Sequence, residues 1–299
     1  METPSPSRLT RRAWLAALAA VSLLALVETA SAIVAPYRAP TDADWRAAAA
    51  AVRAGFRPGD LIVAAPAWAD SILRVHLGDL IPVEVAGRMD DERFERVWEI
   101  SQRGAKSEAG REGTVAEERR FGALTVRRIQ RPAVGVRYDF VARWGDALVS
   151  RRGPGTASVD CPRVADHFEC PGVAHTSVRR QIVEVDTRLR MALLAPPASD
   201  GALVIEYLGV PLGRTLVVAT GLHNVWSRKE AQGPVDLRVF VGGVEAGTFT
   251  TRNEDGWALH RFDTSARVGQ IAPVRFEITS PSPRARQFAL AAEARFEDR

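Results

Sequence analysis

The stretch VDLRVFVGGVEAGTFTT, residues 235–251, decides the fold class. Two strand-length runs flank Gly242-Gly243, and a two-residue glycine connection marks a tight hairpin, because such turns need positive φ at their central positions. Working outward, the same grammar repeats. QIVEVD, RMALLA, ALVIEYL, RTLVVAT, VDLRVFV, VEAGTFTT, WALHRFD, PVRFEIT and QFALAAEARF are strand-length runs after residue 135. The short connections between them, such as PPASDG, GVPLG, NEDG and SPSP, are rich in turn residues. Val274, Phe276 and Ile278 alternate with Arg275, Glu277 and Thr279, the period-2 pattern of a strand with one buried face. Many short alternating strands predict an antiparallel β-sandwich, jelly-roll-like in layout.

Within this half, RNEDGWALHRFDTS (252–265) poses a local question. Asp255-Gly256 predicts a turn that puts Trp257 at the start of a strand, either as a core plug or as a stacking platform for a sugar ring. Trp257 and Leu259 share a face while Phe262 falls on the other parity. A bulge, or a strand with apolar contacts on both sides, would account for that. The plug is the favoured reading.

Upstream the pattern changes to helix and strand. TDADWRAAAAAVRAGF carries a cap at Thr41 or Asp42, with Trp45, Ala48, Ala49, Val52 and Phe56 at helical spacing. Gly55 is assigned the left-handed position that ends such a helix. RPGD then turns into LIVAAP (61–66), a buried strand, followed by a helix over 68–77. IPVEVA, RFERVWEIS and FGALTVRRIQ complete a small α/β layer. The polar segment 105–120 reads as a loop or an exposed helix, and 142–176 as an irregular, cysteine-bearing excursion. The predicted organisation is an N-terminal targeting segment (1–35), an α/β domain (36–134) and a β-sandwich domain (135–299).

The N-terminus carries SRLTRR, the apolar run Ala13 to Val27, and the small-x-small triplet Ala30-Ser31-Ala32. That order is a cleavable secretory signal peptide. Extended through Pro36, the same stretch is about 23 residues and spans a bilayer as a single transmembrane helix. Both readings stand, and both place the remainder outside the cytoplasm: in the periplasm, soluble, or held on the inner membrane by one helix. Cys161 and Cys170 fit that compartment as a disulfide. The rival is a metal site in which Asp166, His167 or Glu169 joins the thiolates, but the partner spacings of a zinc site are missing.

Composition narrows the function further. The net charge is only +4, of which Arg8, Arg11 and Arg12 supply +3, and no basic run interleaved with aromatics follows, which argues against nucleic acid as a partner. There is no G-x-S-x-G elbow and no phosphate-cradling G-x-x-x-x-G-K, so no cofactor is implied. No histidines pair at i, i+3 or i+4, so no metal site is assigned. Asp90-Asp91 and Glu254-Asp255 read as solvated turns or caps. Asp70 and His76, just beyond the first α/β strand, are the best candidate acid–base pair, because open sheets bind ligands outside the carboxyl ends of their strands. The long polar loop TGLHNVWSRKEAQG offers His223, Asn224, Trp226 and Arg228 as a glycan-binding set, combining an aromatic face with amide and guanidinium donors.

Two family resemblances add to these readings. DWRAAAAAVRAGFRPGDLIVAAPAW, ERVWEIS and FGALTVRRI make residues 36–131 similar to the extracytoplasmic α/β domain of polyprenyl-phosphate-sugar glycosyltransferases of the protein-mannosyltransferase type. Those enzymes carry their catalytic acids between membrane helices that have no counterpart here. The resemblance therefore implies an accessory domain, with a membrane-embedded glycosyltransferase as partner, and no transferase residue. ALVIEYLGVPLGRTLVVATGL and DGWALHRFDTSARVGQIAPVRFEIT make residues 178–299 resemble a galactose-binding-type jelly-roll sandwich, which implies a glycan ligand or a docking role. The expected function is non-catalytic: glycan binding, or scaffolding of a glycan-modifying assembly in the envelope. The alternative is a hydrolase or transferase acting on envelope saccharides through the α/β crevice.

Overall fold

The computed structural model describes residues 8–34, 39–82, 90–111, 113–132, 134–153, 155, 157–172, 177–199, 201–223, 233–283 and 286–296. Helix α1 (Arg8–Val34) contains a stretch, Ala13–Val34, long and apolar enough to cross a membrane, and none of that stretch is buried against the rest of the chain. With the disulfide described below, it fits a protein that is secreted, or anchored with its folded part outside the cytoplasm.

Helix α2 (Asp42–Gly55) starts at a reciprocal cap. The Thr41 hydroxyl accepts the Asp44 N–H at 3.2 Å, and the Asp44 carboxylate accepts the Thr41 N–H at 2.9 Å. The Thr41 N–H bond holds the Asp44 carboxyl below its usual range. Trp45, Ala48, Ala49 and Val52 are buried, as their spacing predicts. Gly55 departs from expectation. It is the last helical residue and is not left-handed; the chain leaves through an extended Phe56, and Gly59, at φ 94°, makes the turn. Gly55 is small for a different reason: a Cβ there would lie 2.7 Å from the Trp98 ring.

Strand β1 (Leu61–Ala65) runs parallel to β2 (Arg96–Gln102), with Ile62 opposite Trp98. Helix α3 (Asp70–Leu77), entered through a short 3-10 turn (Ala67–Ala69), buries Leu73 and Leu77 against this sheet beside α2. Of the expected strand IPVEVA, residues 83–86 lie outside the described residues. β3 (Thr114–Phe121) and β4 (Leu124–Gln130) complete the order β1-β2-β4-β3. β3 corrects the loop-or-helix reading of 105–120 from Thr114 onward, while 105–111 is turn and loop as that reading has it. β3 is an edge strand exposed along most of its length, with only Phe121 at its end packed against the core, so it lacks alternation. Besides its ladder to β4, it is held by cross-strand ion pairs, Glu118 to Arg127 at 2.7 Å and Glu117 to Arg128 at 3.5 Å.

The remaining strands are β5 (Val136–Asp139), β6 (Leu148–Arg152), β7 (Val159–Asp160), β8 (Arg163–Val164), β9 (His167–Glu169), β10 (Ser177–Val185), β11 (Arg188–Leu194), β12 (Ala202–Pro211), β13 (Thr215–Leu222), β14 (Val235–Val241), β15 (Val244–Thr251), β16 (Ala258–Asp263), β17 (Ile271–Thr279) and β18 (Phe288–Arg295). They form two antiparallel sheets: β16-β13-β18-β11-β10-β9-β8, with β5 beside β18, and β15-β14-β17-β12-β6-β7. This is the expected antiparallel sandwich. All nine quoted runs are strands, and Gly242-Gly243, both at positive φ, closes the β14–β15 hairpin. Residues 142–176 are more regular than expected. β6 lies beside β12 in the second sheet, and β8 and β9 extend the first, so this segment finishes both sheets. Cys161 and Cys170 form a disulfide within it, which removes the thiolates that the rival metal site needed.

Tyr138, Phe140, Tyr207 and Phe276 interlock edge-to-face between the sheets at 4.9–6.0 Å, and the Tyr207 hydroxyl donates to the Phe140 carbonyl at 2.9 Å. Burial and the Asp146 carboxylate raise the Tyr138 hydroxyl to about 12. Trp257 lies on the other side of the first sheet. The Thr220 hydroxyl reaches Thr251 of the facing sheet at 3.0 Å, so the next residue, Gly221, points outward, and a Cβ on it would meet Trp257 at 3.1 Å. Trp257 is 5% exposed and donates its indole N–H to the Arg188 carbonyl at 3.0 Å. It is a plug, sealing the outer face, while Phe262 packs inward against Phe249. The opposite parities need no bulge within β16, because its pairing with β13 is unbroken.

Candidate functional site

The segment 90–95 ties the small sheet to the sandwich. Arg295 is fully buried on the outer face of β18; its guanidinium bonds Glu92 at 2.9 Å, Glu293 at 2.7 Å and, closest, Asp90. Burial acts against the charged guanidinium, yet Asp90 and Glu293 raise its pKa overall. Asp90 is therefore a buried counter-ion, and Asp91 pairs with the buried Arg131 at 2.9 Å. This corrects the solvated-turn reading of Asp90-Asp91. Two adjacent acids look like a surface turn until the arginines they clamp are brought in from positions 131 and 295.

Beside this clamp the first sheet opens. β18 pairs with β11 at Ala289 and Leu290, then with β5 from Glu293 onward. Between those points, beside Ala291 and Ala292, a cleft of about 380 Å³ lies between β11 and β5, while the Phe140 N–H still donates to the Ala292 carbonyl at 3.1 Å. Ala291, Ala292, Met191, Val141 and Phe94 give it apolar surface, and Arg93, Arg180, Arg190, Asp139 and Glu293 supply charge. Arg93 reaches Glu293 at 3.1 Å and Asp139 at 3.7 Å. The other Asp139 oxygen accepts the N–H groups of Val141 and Ala142 at 3.0 and 2.9 Å. Arg190 sits 3.8 Å from Asp90, with its guanidinium 5.9 Å over the Trp257 ring. Arg180 is exposed at the rim. Arginine donors beside apolar surface can hold a polar ring ligand by its hydroxyl or carboxylate groups. Both carboxylates are already bonded by arginine or backbone N–H, so neither is aimed at the void as a base. Sequence reasoning missed this site because its arginines are spread over positions 93 to 190 and look like ordinary solvent-side residues.

The residues singled out from sequence fall elsewhere. Asp70 accepts the Arg74 guanidinium at 2.7 Å within α3, while His76, near the other end of that helix, stacks on Trp45 at 6.2 Å and lies 3.5 Å from Asp42. Each has its own partners, and neither lines the cleft. His223 stands at the end of β13: its N–H donates to the Gln287 carbonyl at 2.8 Å, and its Nδ1 lies 3.2 Å from the Glu184 carbonyl. Burial lowers its pKa. Asn224, Trp226 and Arg228 lie outside the described residues. From Phe288, opposite the end of β13, to Ala292 is four strand residues, roughly 13 Å, so this loop root and the cleft occupy neighbouring parts of one sheet. Among the described residues no group of three or more His, Cys, Asp or Glu could hold a metal ion.

No family model matches the chain, and no curated protein matches it. Several solved structures are similar over part of its length. The CBM51-2 and INT domains of Clostridium perfringens ZmpB match at 11% identity and a TM-score of 0.32, covering 50% of this chain and 37% of that one. The CBM51 of Clostridium perfringens GH95, solved with methyl-galactose, matches at 7% identity and a TM-score of 0.26, covering 38% of this chain and 80% of that one. At these values the likeness is too slight to assign a fold, and the sandwich rests on its own strand pairings.

Proposed function

We propose that this chain is an extracytoplasmic saccharide-binding protein and not a catalyst. The arginine-lined cleft between β11 and β5 carries this reading: its volume accommodates a sugar residue, and its walls combine apolar surface with guanidinium donors. Arg93 and Arg190 are already matched by Asp139, Glu293 and Asp90, so the exposed Arg180 at the rim is the donor that favours an acidic sugar. The loop 223–232 is a second contact, in which His223, Asn224, Trp226 and Arg228 engage the same glycan; its aromatic, amide and guanidinium composition supports this. A periplasmic location, division into domains at 134/135, and a place beside a membrane-embedded glycosyltransferase belong to the same proposal. The last is supported by the resemblance of residues 36–131.

Calorimetric titration of the detergent-solubilised chain with acidic and neutral oligosaccharides tests it. Arg180→Ala, at an exposed rim position, should weaken binding of the acidic sugars, and Trp226→Ala should weaken both kinds. If only Trp226→Ala has an effect, the loop is the site and the cleft is not. Full-strength binding in both variants, or no binding by the parent protein, defeats the reading.

A further inference from the structure

We propose that the exposed face formed by Trp68, Ile72 and Val75 seats on the surface of a lipid bilayer, next to the point where α1 leaves it. The three residues are 65%, 41% and 80% exposed, although each is large and apolar. They follow one another at intervals of four and three, which stacks them into one stripe along the 3-10 turn and α3. The opposite face is ordinary core: Ala69, Leu73 and Leu77 are fully buried. Two apolar faces on one short helix need two apolar environments, and the described residues of the folded chain supply only one.

Chain continuity identifies the second environment. α1 ends at Val34 and α2 begins at Asp42, so seven residues join them, at most about 25 Å when extended. The start of α2 is fastened to the end of α3, because Asp42 lies 3.5 Å from His76 and Trp45 stacks on the same ring. Val75 is the neighbour of His76. A bilayer crossed by α1 is thus within reach of the stripe, and the short link keeps it there. The local charges do not oppose contact, since Asp70 and Arg74 neutralise each other at 2.7 Å on the same helix. A tryptophan at one end of such a stripe suits the headgroup level, where its ring is half in hydrocarbon and its N–H stays wet. This inference is independent of the sugar-binding reading.

The test places the full chain in phosphatidylcholine–phosphatidylglycerol vesicles whose lipids are brominated near the headgroup, and measures tryptophan quenching. Trp14 in α1 and Trp68 should both be quenched, so Trp68→Phe should remove roughly half of the lipid-quenched emission, and Trp14→Phe the remainder. Val75→Asp, at an open surface position, should leave the melting temperature unchanged. It should abolish Trp68 quenching by lipid and raise its quenching by aqueous acrylamide. An unchanged lipid-quenched amplitude in Trp68→Phe overturns the proposal. So does a Trp68 shielded from acrylamide in native membranes but not quenched in these vesicles, because a protein would then cover the stripe.

Discussion

The sandwich and the small four-stranded sheet bury their apolar residues in different ways. In the sandwich two sheets face each other, so strands such as β17 have one inner face and alternate cleanly, with Val274, Phe276 and Ile278 fully buried. In the small unit one face of the sheet meets α2 and α3 around Trp98 and Ile100, while Leu61, Val97 and Ile129 form a lesser cluster on the other side. Its outer edge, β3, is held by charge pairs and backbone ladder. The lesson is one of register. Where a face is continuous and apolar, side chains set which residue points where; where it is not, ion pairs and backbone geometry do so. The two regions meet at a third kind of contact, the buried cluster around Arg295, where charges take the place a core would otherwise hold.

Substitutions graded by size sharpen this contrast. The largest effect is expected at the junction. Arg295→Ala removes the guanidinium that Asp90, Glu92 and Glu293 share and leaves Arg190 and Arg93 as the remaining arginine neighbours of Asp90 and Glu293, at a cost of about 3 kcal/mol or slightly more, the low end for breaking a buried pair. Chemical denaturation should record that loss, and a change under 1 kcal/mol would mean that water reaches the cluster freely. Next comes Trp257→Ala on the outer face of the sandwich, expected to cost about 3 kcal/mol, the low end for a large aromatic, because Trp257 covers one side of a sheet only. A protein of unchanged stability would return Trp257 to the surface and reopen its use as a sugar platform.

Opening the Cys161–Cys170 loop should cost somewhat less. The double Cys→Ser variant is expected to lose about 2.7 kcal/mol on the chain-entropy account, and its thermal midpoint beside the parent's gives the check. The smallest expected effect is a pH dependence confined to the sandwich. Burial holds the His260 imidazole below its ordinary value, where it stacks on Phe249 at 3.6 Å and meets the Thr220 hydroxyl at 3.1 Å. The unfolded chain therefore binds the proton more readily than the folded one. The stability that His260 contributes is fully present above about pH 6.5 and is lost as pH falls through the depressed native value. His223 acts in the same direction. Denaturation midpoints measured from neutral pH downward should fall, and His260→Phe should flatten part of that slope. A parent protein with no slope in this window would place both rings in solvent.

Much of the architecture is legible in the sequence. The nine sandwich runs, the Gly242-Gly243 hairpin, the Thr41-capped helix and the cysteine pair are local features, dictated by period, turn chemistry or cap chemistry within a few residues. The candidate site was far less legible. Nothing near Arg190 says that Asp90 neutralises it, and nothing near Ala291 says that β11 leaves β18 there. The residues of TGLHNVWSRKEAQG that sequence favoured fall mostly outside the described part, apart from His223 at its root.

By itself, then, the sequence determined the apolar N-terminal helix, the class of each half and the parity of most strands, because each depends on neighbours along the chain. Tertiary structure decided that Asp90 is buried and Asp91 ion-paired, that Trp257 faces outward while Phe262 faces in, and that 114–121 is a strand. It also decided where the sheet opens into an arginine-lined cleft. Those outcomes depend on what a residue meets across space, from partners as much as 205 positions away, as Arg295 and Asp90 are. No local pattern encodes such a meeting, because the energy that fixes it arises only when both charges leave water together.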